Sequence, residues 1–166
     1  MRTIGRASIV PVQGGITAPR GFRAAGVVCG IKTNGRPDLA LIAADRPVTA
    51  AGIFTVNQAK AAPVLLSREH LAASGGAAQV IVTNSGCANA CTGPQGMLDA
   101  REMAGLTANR VGCAPSHVLV ASTGVIGVNL PMHAVRSGIP AAFAALSGDG
   151  DADAARAIMT TDPFPK

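Results

Sequence analysis

The chain has 166 residues, 48% hydrophobic and 14% charged, with a formal charge of +5. That apolar content excludes a disordered chain and predicts one packed domain over residues 1–166. Four Phe with no Trp or Tyr make a poor base-stacking platform, and no Lys/Arg run occurs, which argues against nucleic acid as a partner. The basic balance remains compatible with small anionic substrates or an acidic partner chain.

In chain order, the Gly/Pro-rich stretch up to Pro19 reads as an extended lead-in. GFRAAGVVCGIK (21–32), DLALIAAD (38–45) and AAGIFTVN (50–57) read as three strands, with Arg46-Pro47 as a tight connection between the last two. Asp38 and Asp45 bracket the second of them. PVLLSREHLAASGG switches to a helical period, with Ser67 as a cap and Gly75-Gly76 as the stop. AQVIVTN is a continuous β-branched run, expected as a buried central strand. GPQGMLDAREMAGLTANRVG then predicts a helix whose apolar face is Met97, Leu98, Met103, Leu106 and Val111, ended by Gly112. HVLVAS predicts another buried strand. Pro131 suits the first turn of a helix in LPMHAVRSG. IPAAFAALSG and DADAARAIMTTD suggest two further short helices, with SGDGDADA as the surface turn between them. Strands first, then alternating helix and strand, predict a layered α/β sandwich.

A mean hydropathy of +0.35 raises the question of a membrane. No run approaches the roughly 20 apolar residues a spanning helix needs, and MRTIGRASIVPVQGG lacks the apolar centre of a secretory signal. A cytoplasmic protein is expected, with no membrane partner.

Several clusters could carry chemistry. Cys87, Cys91, Cys113 and His117 have spacings that can close a zinc site, although small buried cysteines account for them more simply and no metal is expected. Asp149, Asp151 and Asp153 resemble the start of a calcium loop, but Ala154 and Thr160 stand where a glycine and a bidentate glutamate are needed. His70, His117 and His133 lack a nucleophilic partner. No serine-hydrolase elbow, P-loop or dinucleotide fingerprint occurs. Two polar, glycine-rich turns directly follow buried strands: Thr83-Asn84-Ser85-Gly86 with Ala88-Asn89-Ala90-Cys91-Thr92-Gly93, and Ser122-Thr123-Gly124-Val125-Ile126-Gly127. They read equally as tight turns or as a ligand site, where amides and hydroxyls supply what an oxyanion hole needs.

At these residues the sequence resembles the ornithine acetyltransferase family, the bifunctional glutamate N-acetyltransferases of arginine biosynthesis. The matching segments are GFRAAGVVCGIK, DLALIAAD, AAGIFTVNQAKAAPV, NSGCANACTGPQG, ASTGVIG and AIMTTD-x-x-PK, in the family's order and spacing from about Pro19 onward. The resemblance implies an αββα sandwich of the DmpA/ArgJ-like type, laid out like the N-terminal-nucleophile hydrolases. It also implies a precursor that cuts itself into α and β chains. The β chain's new N-terminal Thr takes an acetyl group from N-acetylornithine and passes it to glutamate; some members also use acetyl-CoA as donor. No cofactor is implied. Thr123 and Gly124 match the family's oxyanion-hole pair, and Thr160 matches a substrate-binding position. The family's K-G-x-G-M motif and Ala-Thr cleavage site do not occur in the sequence, so no nucleophile is expected in this chain. Pro163 stands where many members have Thr. The chain reads as an α-chain portion whose fold a β chain completes, in an α2β2 or larger assembly. The alternative is a non-catalytic truncated domain with a partner-binding or Cys/His metal-binding role.

Overall fold

The computed structural model describes residues 10–12 and 14–165; the first nine residues of the expected lead-in, Gln13 and Lys166 lie outside them. Residues 10–12 and 14–19 carry neither helix nor strand, as expected of the lead-in. The elements are β1 (Phe22–Val27), β2 (Leu39–Thr49), α1 (Ala62–Ala73), β3 (Ala77–Cys87), α2 (Gly93–Val111), a 3-10 turn (Pro115–His117), β4 (Val118–Val125), α3 (Met132–Ala144) and α4 (Asp151–Ala157).

The strands form one sheet in the order β1-β2-β3-β4. The first two pairings are antiparallel, and β3 runs parallel to β4. The parallel step requires a crossover, which α2 supplies. Side chains alternate across the sheet. Leu39, Leu41, Val80, Val82, Val118 and Val120 face α1, α2 and α3 and form the main core. Ala24, Ala40 and Ile42 face the other way, where α4 rests on β1 and β2 through Ala154 and Ala157. This face is built from small side chains because α4 lies very close: a Cβ on Gly150 would fall within 3 Å of Ala24 backbone atoms, and one on Gly26 within 3 Å of Asp153 and Ala154.

Five local expectations change. Residues 50–57 form no strand. The Ala50 N–H donates to Gly76 O, and Ile53 and Val56 stand in solvent, so the β-branched run has no ladder to join. Arg46-Pro47 does not break the chain either. β2 continues through it, because the register shifts between Ala43 and Val48 and the proline sits in that irregularity, where no ladder donor is required. Ser67 is not a cap; it lies inside α1, which begins at Ala62 with proline in its first turn. Its buried hydroxyl donates to Val120 O (2.7 Å) and accepts from Val120 N–H (2.8 Å). IPAAFAALSG is not a separate helix but the second half of α3, which passes through Pro140. On α2 the buried face is Gly96, Ala100, Met103, Ala104 and Ala108, whereas Leu98 is exposed. Gly112 ends that helix in the left-handed conformation, as expected.

Candidate active site

The two glycine-rich turns are neighbours in space. β3 and β4 pair in parallel to their last residues, so Ser85 stands beside Thr123 and Gly86 beside Gly124. Beyond the ladder, the Ala88 N–H donates to Val125 O and the Gly127 N–H to Ala90 O, both at 2.9 Å. Gly124 has φ +134°, and a Cβ there would lie 2.6 Å from the Cys87 nitrogen. Gly86 has φ +105°, and its Cβ would lie 3.1 Å from Ile31 and Lys32 side-chain carbons. Glycine is therefore required at both strand ends, once for conformation and once for the closeness of the chains.

The turn after β3 is held by Asn89. Its backbone is left-handed (φ 46°), as is that of Cys91 (φ 57°). Asn89 tolerates this because both ends of its buried amide are hydrogen-bonded. The Nδ2 group donates to Gly96 O at 2.9 Å, and Oδ1 accepts from the Thr92 hydroxyl at 2.8 Å. NSGCANACTG is thus a rigid bracket between β3 and α2.

Thr123 is half-buried and Gly124 exposed at the end of β4. A hydroxyl and a backbone N–H at an open strand end are the donor types that stabilise a developing oxyanion. Thr160 follows α4, and its N–H donates to the Asp162 carboxylate at 3.2 Å. It lines a pocket of about 110 Å³ with Lys32, Asn34, Arg36 and Arg156. Two links bring it to the same end of the sheet as Thr123. Ser85, the register partner of Thr123, donates from its hydroxyl to Ala157 O at the end of α4. Lys32, whose stem lies beside Gly86, donates from Nζ to Met159 O at 2.6 Å.

The other candidates do not converge. Cys87 is buried, Cys91 exposed, and Cys29 and Cys113 half-buried; all are free. Among the described residues no group of three or more His, Cys, Asp or Glu side chains is placed to hold a metal ion. Burial, reinforced by the neighbouring Asp38 carboxylate, pushes the Cys29 thiol up to about 12, which keeps it protonated and unreactive. His70 is buried, with Nδ1 2.7 Å from Val118 O, which is a structural role. Asp151 and Asp153 lie in the first turn of α4, where the helix dipole favours acids. Among the described residues no helix is long and apolar enough to cross a membrane.

Sequence reasoning gave Lys32 no role and saw Asp38 only as a strand boundary. Asp38 is fully buried and accepts N–H groups from Cys29 (2.7 Å), Gly30 (3.1 Å) and Lys32 (2.8 Å). A buried acid opening an apolar strand was the available signal.

Comparison with known proteins decides the lineage. A model of the ArgJ family matches residues 23–166. The chain belongs to the ArgJ family. It is 58% identical to the arginine biosynthesis bifunctional protein ArgJ of Symbiobacterium thermophilum over 93% of this chain and 39% of that protein. It is 50% identical to the ArgJ of Thermosynechococcus vestitus over 93% of this chain and 37% of that one. The chain therefore spans about two-fifths of the length of these curated relatives. Among solved structures, ornithine acetyltransferase from Mycobacterium tuberculosis, complexed with ornithine, superposes with a TM-score of 0.87 at 45% identity. That match covers 91% of this chain and 81% of the other. The ArgJ of Bacillus halodurans superposes at 0.84 and 36% identity, over 91% of this chain and 78% of that one. The mixed sheet with flanking helices is thus the ArgJ-type layered α/β fold.

Proposed function

We propose that this chain is the α-chain portion of an ornithine/glutamate acetyltransferase of arginine biosynthesis. The observation that carries the reading is the paired strand end. The backbones of Gly86 and Gly124 meet there, with Thr123 beside them and Thr160 tied to the same end through Ser85 and Lys32. In this reading the nucleophile is the N-terminal Thr of a β chain released by autocatalytic cleavage, with its own amine as base. The Thr hydroxyl attacks the acetyl carbonyl of N-acetylornithine, and its proton passes to that amine. The Thr123 hydroxyl and the Gly124 N–H donate to the oxyanion of the tetrahedral intermediate. Collapse expels ornithine, which carries away the proton, and leaves an acetyl-threonine ester. Glutamate attacks that ester through a second intermediate in the same donors, giving N-acetylglutamate and restoring the Thr hydroxyl. Thr160 contacts the substrate.

The sheet supports a second layer. On the face opposite α1–α3, α4 rests mainly on β1 and β2 and reaches β3 at Ser85, while Ile81 on β3 and Ala121 on β4 are exposed. A β chain laid there would complete an αββα sandwich, in an α2β2 or larger cytoplasmic assembly, with acetyl-CoA as a further donor.

Intact-mass measurement and N-terminal sequencing of the native preparation test this directly. A co-purifying chain that begins with Thr is expected; this chain alone and stable in solution would remove the reading. In the assembly, Thr123→Ala should lower acetyl transfer roughly 10²–10³-fold, as loss of one oxyanion donor does. Full retained activity would show that Thr123 is not that donor.

A further inference from the structure

The segment that carries Thr160 leaves α4 after Ala157 and carries no regular structure. Its local backbone bonds are short-range: the Met159 N–H donates to Arg156 O at 3.3 Å and the Thr160 N–H to the Asp162 carboxylate at 3.2 Å. Its carbonyl at Met159, in the peptide unit that ends at the Thr160 nitrogen, is held from outside by Lys32. The Lys32 ammonium bridges Met159 O at 2.6 Å and Pro37 O at 2.8 Å, across 127 and 5 residues of chain respectively. A lysine bridging two carbonyls is a poor tether unless its own backbone is fixed, because its four-carbon stem has many conformations. Here the backbone is fixed. The loop from Cys29 to Pro37 is wound onto one buried carboxylate, and the Lys32 N–H is one of the three groups Asp38 accepts. The Lys32 stem is confined on its other side by Gly86, at the paired strand end.

We propose that Lys32, set in place by Asp38, is a positioning residue that holds the Met159–Thr160 peptide and so aims Thr160 into the site. This rests on the proposed substrate role of Thr160. It assigns Lys32 no contact with the reacting atoms. Burial lowers the Lys32 pKa from its ordinary value, as expected for an ammonium partly withdrawn from water between carbonyls.

The test compares wild type, K32M and K32R in the purified assembly. Methionine keeps the length of the stem and removes the donors, whereas arginine can still reach both carbonyls. With K32M, KM for the acyl substrate should rise about tenfold or more while kcat stays within about threefold, and K32R should recover most of the loss. An unchanged KM, or K32R no better than K32M, overturns the proposal. Hydrogen exchange supplies a readout that needs no activity. In K32M the amides of Met159 and Thr160 should exchange at least about tenfold faster while β2 and β3 stay protected. Unchanged exchange at Met159 and Thr160 overturns the proposal, and so does a loss spread over the whole sheet. A wild-type assembly without acetyl transfer defeats the enzymatic reading instead, and exchange alone then decides the role of Lys32.

Discussion

The two faces of the sheet are built on different terms. Toward α1, α2 and α3, the buried strand side chains Leu39, Leu41, Val80, Val82, Val118 and Val120 are met by Leu66, Met103 and Ile139 from the helices. That face is a complete core, with its large apolar side chains fully removed from water. The opposite face is half finished. Over β1 and β2 it is closed by alanines and glycines against α4, at near-contact backbone distance. Over β3 and β4 it is only partly covered: Ile81 is 38% exposed, whereas Ser85 at the end of β3 is buried against the end of α4. One face is the principal core, and the other leaves part of the sheet uncovered. The candidate site lies at the end of β3 and β4, the two strands whose second face is only partly covered.

Cutting into the finished face should have the largest effect. Leu66 is completely buried in the main core, so Leu66→Ala should cost about 2–5 kcal/mol of unfolding free energy, through lost burial and the cavity left behind. Urea denaturation measures it, and a loss below about 1 kcal/mol would mean that this face is not the principal core. The α4 side should respond less, by strain rather than by cavity. An added methyl at Gly150 would collide with Ala24 backbone atoms, where Ala24 and Ser147 exchange hydrogen bonds. Gly150→Ala should therefore cost about 1–3 kcal/mol and loosen α4 selectively. Hydrogen exchange should rise in residues 151–160 and hardly at all in β3. Equal loosening of both would show that the two faces are not separable.

How far the sequence foretold this follows the same division. The strands of the finished face were legible because their period is plain: VIV in β3 and the alternating leucines of β2 admit few other readings. The stop at Gly112 was legible for a conformational reason. What misled was local pattern without tertiary context. AAGIFTVN has strand composition but no partner strand, and Pro47 looks like punctuation until the irregular register of β2 accommodates it. The division between LPMHAVRSG and IPAAFAALSG is likewise one that α3 runs straight through. At the site, the glycines and Thr123 were visible as motif residues. Their pairing across a parallel ladder was not, because nothing local to either turn encodes the register. Lys32 was invisible for a sharper reason: its partner is a carbonyl 127 residues away, and a carbonyl leaves no mark in a sequence.

The smallest effect should come from the unfinished face, and there the two faces differ most clearly. Ile81 pairs with Ile42 and Leu119 in the sheet, yet projects opposite Val80 and Val82 into the uncovered half. In the chain by itself, Ile81→Ser removes side-chain area that is already partly hydrated. The expected loss is below about 1 kcal/mol, well under that of Leu66→Ala. In an assembly with a second layer, the same substitution places a hydroxyl in a dry interface and should shift dissociation toward higher protein concentration. Unfolding of the isolated chain and a dilution series of the assembly, run side by side, separate the two effects. A large loss in the isolated chain would mean that Ile81 is already part of a core. A small loss in both would mean that this half of the sheet is free surface, and the second layer would have to dock elsewhere.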